Sequence, residues 1–350
     1  MKKIKFYKNI VFCRLVIPNM LCMKKNVLVT GITGQDGTFL TKQLLETNCY
    51  NIVGTSRRNN HDEFYKRLKY LNLNSNNLVN LKLTTIDLLS DRNKIESEIT
   101  NMKFDYVYNL VGPGSVYESI KEPFISSNTI VTSFKNLLDA FIKNKQRPAF
   151  FQASSSEMFG SINEKTLSED TIFNPISPYA NSKYYIHKML SFYRERYDWN
   201  LSSGILFNHE SEFRPDEYLI MKIINSVIKI KDQKQKLIEV GSLDLIRDWG
   251  YAKDYTVAMQ MILEDKPGND YIIGSGRGTS IKEILDYVFS YFEMNYQDYV
   301  SVNKELLRVN EPDKIISNPI KIYDDVGWKA ITSFQEVIEK CIAYKINIKD

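Results

Sequence analysis

Val27-Leu28-Val29-Thr30-Gly31-Ile32-Thr33-Gly34-Gln35-Asp36-Gly37 joins an apolar, β-branched run to a helical pattern through three glycines at a G-x-x-G-x-x-G spacing. Such a turn lets the backbone come close to a pyrophosphate, and the helix that follows points its unpaired N–H groups at it. A glycine triplet by itself also marks plain turns. Here a strand pattern precedes it and a helical pattern follows, so the run reads as a dinucleotide phosphate loop. Gly31, Thr33, Gly34, Gln35, Asp36 and Gly37 are its candidate binding residues.

Outward from this loop, short β-branched runs alternate with longer helical patterns, as in a parallel sheet covered by helices on both faces. Strands are expected at 26–30, 51–55, 81–86, 105–110, 148–153 and 201–206, and helices at 37–47, 128–143 and 178–196. The fold class is α/β, a doubly wound parallel sheet of Rossmann type over residues 23–206. After about residue 200 the pattern turns mixed, with a helix at 280–292. Residues 207–350 are expected to be mainly a smaller mixed α/β substrate-binding lobe, with some segments returning to the first domain. The charged run Lys231 to Lys236 reads as a solvated loop or helix end.

The end of the second strand tells which dinucleotide binds. An acid there would accept the ribose hydroxyls of NAD, but the chain reads Gly54-Thr55-Ser56-Arg57-Arg58. Two guanidinium groups suit a 2′-phosphate, because each offers a planar fork of donors and a permanent charge. The alternative is a solvated basic turn; NADP is the reading adopted. Asp87 and Leu88, after the third strand, fall where an adenine contact belongs.

Ser177-Pro178-Tyr179-Ala180-Asn181-Ser182-Lys183 places Y-x-x-x-K at a helix start, so phenol and ammonium share a face. A nearby cation favours phenolate, which makes Tyr179 a candidate general base and Lys183 its partner. Alone, the pair would be an ordinary helix-surface contact; together with the phosphate loop it reads as catalytic. One strand earlier, Gln152-Ala153-Ser154-Ser155-Ser156-Glu157 sets hydroxyls and a carboxylate just past an apolar strand. Ligands of doubly wound sheets bind beyond the carboxyl ends of strands, so Ser155 and Glu157 should face the cleft. The alternative is a Ser-rich turn with Glu157 in water.

Composition agrees with an ordinary globular protein: 43% of 350 residues are hydrophobic and 25% charged, which excludes disorder as the main reading. A net charge of +4, spread along the chain, does not indicate nucleic-acid binding but suits a phosphorylated small substrate. Four cysteines without a C-x-x-C pair point to a reduced, cytoplasmic setting and argue against structural zinc; no metal site is expected. Residues 1–22 are basic and moderately apolar, but Pro18 and Asn19 interrupt the apolar stretch, which is too short to span a bilayer. They read as a dispensable extension ahead of Met23, and no membrane span is expected elsewhere.

At this point the motifs resemble those of the GDP-mannose 4,6-dehydratase family. The resemblance rests on the G-I-T-G-Q-D-G loop, the Ser-Ser-Glu stretch and S-P-Y-x-x-S-K, on Asn208-His209-Glu210-Ser211, and on the run from Arg247 to Tyr255. It extends from about Asn26 to Trp328. It implies Tyr179 as base, Lys183 as its partner, Glu157 as acid/base of an elimination and Ser155 as the hydroxyl beside the transferred hydride. It further implies cofactor contacts from His209 and Arg214. Substrate contacts would come from Asn208, Lys222, Arg247, Arg308 and Glu311. A GDP-sugar substrate and a homo-oligomer, dimer or tetramer, are implied as well.

Three departures stand out. The family's A-A-Q-S-H-V stretch is here Val111-Gly112-Pro113-Gly114-Ser115-Val116, its P-R-R-G is Glu212-Phe213-Arg214-Pro215, and Arg277 replaces a commonly acidic residue. The family also usually has Thr where Ser155 stands. The implied reaction oxidises C4 of the sugar, eliminates water across C5 and C6, and returns the hydride to C6. A sugar-nucleotide 4-reductase or 4-epimerase would use the same Tyr179 and Lys183 without an elimination. A non-catalytic NADP-binding sensor would need neither.

Overall fold

The computed structural model describes residues 23–112, 114, 116–162, 164–307 and 310–347. Its strands are β1 (Lys25–Thr30), β2 (Tyr50–Ser56), β3 (Leu81–Thr85), β4 (Tyr106–Asn109), β5 (Ala149–Ser155), β6 (Leu201–Leu206), β7 (Asn208–Glu210), β8 (Ile238–Val240), β9 (Ile246–Tyr251), β10 (Asp270–Ile273), β11 (Gly278–Ser280), β12 (Val300–Val302) and β13 (Lys314–Ile315). Seven of them form one sheet in the order β10-β6-β5-β4-β1-β2-β3, every pairing parallel.

Alternation along the strands explains why this sheet is covered on both faces. Leu28, Val53, Val107 and Phe150 enter one apolar cluster, while their neighbours Val27, Val29, Ile52, Tyr108 and Phe151 enter another. Helices Pro123–Lys143 and Pro178–Tyr197 pack on the first face, and Ala252–Asp265 on the second. The strand order reverses between β1 and β4, which opens the ligand crevice at their carboxyl ends.

The second lobe has its own core around Ile220, Ile224, Val227, Ile284, Leu285 and Ile338. It carries β9 flanked by β11 and β13, with β7 paired to β9, and a separate β8–β12 pair. The expected strands appear within a residue or two of their predicted limits, β5 running on to Ser155. β10 and helix Ala252–Asp265, which the periodicity did not resolve, come from beyond residue 206 and complete the first sheet and one of its faces.

Candidate active site

The phosphate loop is shaped by two glycines. Gly31 sits at φ +69°, and a Cβ on Gly37 would lie 2.4 Å from the Ile32 carbonyl oxygen, so neither position accepts a side chain without a backbone shift. Helix Gln35–Glu46 starts immediately, with Gly34 as its N-cap. In front of it lies a groove of about 530 Å³ lined by Gly31, Thr33, Gly34, Arg57, Arg58, Asp87, Leu88 and Gly112, among others. Arg57 and Arg58 are exposed at its edge, and neither guanidinium has a partner among the described residues. The Asp87 carboxylate accepts from the Leu89 N–H at 3.0 Å, which fixes the turn after β3. The N–H groups of Gly31 and Gly34 are bonded to the Thr55 and Gly31 carbonyls. The first N–H groups of the helix, with two guanidinium groups that have no partner among the described residues, therefore fit a phosphorylated dinucleotide.

Helix Pro178–Tyr197 is placed by its own termini. Ser177 caps it by accepting from the Ala180 N–H at 3.1 Å, Pro178 fills the first turn, and Asp198 ends it in the left-handed conformation. Tyr179 and Lys183 are thereby buried against the end of β5. Lys183 Nζ donates to the Ala153 carbonyl at 2.7 Å and stands 5.7 Å from the Tyr179 ring centre. The Ala153 oxygen belongs to a buried polar chain across the strand ends: Thr30 donates to Asn109 at 2.6 Å, Asn109 to Gln152 at 2.7 Å, and Gln152 to Ala153 at 2.9 Å.

The titration of this pair differs from what the spacing suggests. Burial pushes the Tyr179 phenol up to about 12; a hydrogen bond with Ser155 opposes this and the Glu157 charge adds to it. Burial brings Lys183 down to about 8, only partly offset by Asp36. Lys183 therefore does not draw Tyr179 towards phenolate through the protein alone. Its ammonium is turned to the Ala153 carbonyl instead.

Ser155 ends β5 and caps the short turn Ser156–Phe159, its Oγ accepting from the Glu157 N–H at 3.2 Å. A small recess beyond it is lined by Glu157, Asn208 and Arg247, so three residues distant in sequence meet there. Arg247 is buried and paired with Glu311, and it donates to the Ile246 carbonyl at 2.9 Å. The neighbouring Asp248 is a structural hub, accepting from the backbone N–H groups of Ser275, Gly276 and Ser317 at 2.9, 2.9 and 3.1 Å. Lys222 is exposed on helix Leu219–Lys231 and joins none of these contacts, and Arg308 lies outside the described residues.

His209 ties the two lobes together. Its Nε2 is 3.1 Å from both Asp36 carboxylate oxygens, its Nδ1 is 2.8 Å from the Phe207 carbonyl, and its ring stacks on Tyr255. Both ring nitrogens face acceptors, an arrangement that favours an imidazolium. Burial lowers His209, but the Asp36 charge and hydrogen bond outweigh it and leave the group raised. Asp36 is lowered in turn: burial pushes it up, and His209 more than compensates. Beside this pair Ser211 donates to Gln35 at 2.8 Å, and Arg214 Nε stands 3.5 Å from Glu210. The sequence pointed to these residues one at a time but not to their pairing across the lobes. Ser119, which accepts from the Tyr179 N–H at 3.2 Å, carried no sequence signal.

A buried Tyr-Lys pair on a capped helix, opposite a dinucleotide loop at the switch point of the sheet, is the arrangement of the extended short-chain dehydrogenase class. The backbone agrees, since a UDP-glucose 4-epimerase of Thermotoga maritima superposes with a TM-score of 0.79 at 20% identity, over 93% of this chain and 100% of that one. The sequence narrows the class further. The signature of GDP-mannose 4,6 dehydratase matches residues 28–341. GDP-mannose 4,6 dehydratases 1 and 2 of Arabidopsis thaliana are 35% and 34% identical over 91% of this chain, covering 89% and 86% of their own lengths. The chain belongs to the GDP-mannose 4,6-dehydratase family, and it is an enzyme of that lyase family. Among the described residues no helix is long and apolar enough to cross a membrane, and no cluster of His, Cys, Asp or Glu is placed to hold a metal ion.

Proposed function

We propose that this enzyme converts GDP-mannose, or a closely related GDP-hexose or GDP-heptose, into the 4-keto-6-deoxy sugar nucleotide and water, with NADP in the groove. The observation that carries this reading is the placement of Glu157 at the end of β5, its N–H held by Ser155 at 3.2 Å and its side chain in one recess with Asn208 and Arg247. A 4-reductase or 4-epimerase needs Tyr179 and Lys183 but has no use for a carboxylate there. NADP rather than NAD rests on Arg57 and Arg58, two unpaired cations where a 2′-phosphate would lie.

Gly31, Gly34 and the N-terminus of helix Gln35–Glu46 would hold the pyrophosphate, Asp87 and Leu88 the adenine side, and Lys183 the nicotinamide ribose. Bound there, the nicotinamide supplies a reversible hydride acceptor. Tyr179 takes the proton from O4 of the sugar, while Ser155 hydrogen-bonds the same oxygen. Loss of the C4 hydride leaves a carbonyl that makes the C5 proton acidic. Glu157 removes that proton and passes it to the C6 hydroxyl, which departs as water. Return of the hydride to C6, with a proton to C5, would give the 4-keto-6-deoxy sugar. Because the protein holds Tyr179 near 12, the phenol must release its proton before it can accept another. Lys183, near 8, is the adjacent group able to exchange one close to neutral pH. Each placed proton transfer of this kind contributes about 10² to 10⁴ in rate.

Asn208 and Arg247, the latter paired with Glu311, stand beside Glu157, where they would contact a sugar nucleotide entering from the crevice. A homo-oligomer is part of the same proposal: Tyr185 and Phe192 on helix Pro178–Tyr197 are 52% and 55% exposed, and a second copy would cover them. Light scattering distinguishes monomer, dimer and tetramer. Incubation with a panel of nucleotide sugars under mass detection tests the chemistry. Loss of one water from GDP-mannose without net change in NADPH is expected. Unchanged GDP-mannose, with turnover of another nucleotide's sugar or consumption of NADPH by a keto sugar, overturns the reading.

A further inference from the structure

Two glycines stand in the loop after β4, and a side chain at each would meet a different group. At Gly112 a Cβ would lie 3.6 Å from Lys183 Nζ, so that space adjoins the catalytic amine. At Gly114 a Cβ would lie 2.9 Å from the hydroxyl oxygen of Tyr218 and 3.9 Å from its Cζ. Tyr218 comes from the opposite lobe, as the residue immediately before helix Leu219–Lys231. One wall of the crevice thus lacks a side chain where the other presents a phenol.

The ring of Tyr218 is held, and its hydroxyl is not. The Arg214 guanidinium lies 3.7 Å from the ring centre, a cation on an aromatic face that fixes the ring plane. Tyr218 is half-buried, and among the described residues its hydroxyl has no hydrogen-bond partner. Tyr218 is also close enough to act electrostatically on Tyr179. A phenol with a fixed ring and an uncommitted hydroxyl, set between the two lobes beside the reacting pair, is suited to meet a hydroxyl-rich ligand.

We propose that Tyr218 is a specificity-determining residue whose hydroxyl hydrogen-bonds the sugar ring of the nucleotide sugar, and that Gly114 is small in order to admit it. The proposal rests on the crevice being a GDP-sugar site, as argued above. It concerns the sugar and not the nucleotide, because Tyr218 faces Gly114, in the same loop as the Gly112 that adjoins Lys183, whereas the Arg247–Glu311 pair stands by the recess behind Glu157.

Steady-state kinetics of the NADP-loaded enzyme separate these parts, with GDP-mannose as substrate and GDP as competitive inhibitor. Tyr218→Phe should lower kcat/KM for GDP-mannose about tenfold, chiefly through KM, as expected for one lost hydrogen bond that holds ground state and transition state alike. The inhibition constant of GDP should not change. Gly114→Ser should lower kcat/KM in the parent enzyme, where its Cβ meets the hydroxyl, and less so in the Tyr218→Phe background, where that oxygen is gone. Unchanged kcat/KM in Tyr218→Phe, or an equal weakening of GDP inhibition, overturns the proposal. If the parent enzyme leaves GDP-mannose untouched, the reading of the site falls first and the proposal with it.

Discussion

Replacing Lys183 by Met should make the protein more stable at neutral pH while stopping catalysis. The side chain is buried, and its ammonium titrates near 8 against an ordinary 10.5. The folded protein therefore holds this proton more weakly than the unfolded chain, which means that stability rises with pH between 8 and 10.5 and that the penalty is full below 8. That difference corresponds to about 3 kcal/mol. Met fills a similar volume without a charge. The variant loses the bond from Nζ to Ala153, worth about 1 kcal/mol, but the Ala153 oxygen keeps its bond from Gln152 and is not stranded. A net gain of about 2 kcal/mol is expected at pH 7. Urea denaturation of both proteins at pH 7 and near pH 10.5 measures it, and the gap should narrow at the higher pH, where the parent amine is neutral. Turnover should fall by about 10² or more. A variant less stable than its parent at pH 7, or a gap indifferent to pH, would refute the account of Lys183.

The other expectations concern charge and proton placement. Arg57→Ala with Arg58→Ala should weaken NADP binding and leave NAD binding little altered by calorimetry; equal losses would assign the two residues to structure. Glu157→Gln, nearly isosteric, should slow release of the 6-deoxy product by about 10² to 10⁴, and product formation at the parent rate would remove Glu157 as the elimination base. In Asp36→Asn the raised His209 should drop below its ordinary 6.5, since burial then acts without its main counter-charge. An NMR titration in which His209 stays raised would deny the pairing.

The sheet was legible because most of its strands carry apolar or β-branched runs bounded by turn residues, as in Val27 to Thr30. β10 escaped notice because Asp270–Ile273 is only four residues long and lies far from the other strands in sequence, so nothing local marks it as an edge of that sheet. Local motifs exposed the loop, Tyr179, Lys183 and Glu157. The titration of Tyr179 and Lys183 was not legible, because spacing on a helix says which side chains share a face and not how deeply they are buried. Asp36 with His209 and Gly114 with Tyr218 are contacts between segments more than a hundred residues apart, and they appear only once the second lobe has folded over the first.

The return of β10 to the first sheet has a consequence for how this protein can be taken apart. The chain leaves the sheet after β6, builds β7 to β9 in the second lobe, and comes back through helix Ala252–Asp265 to add β10 beside β6 before leaving again. A fragment ending at residue 206 would lack that edge strand and that helix, exposing Leu206, Tyr108 and Phe151, which share a core with Tyr255, Met259 and Ile273. The two lobes are thus functional regions without being separable pieces. A proteolytic cut between them should leave the products associated until they denature, and neither half expressed alone should refold.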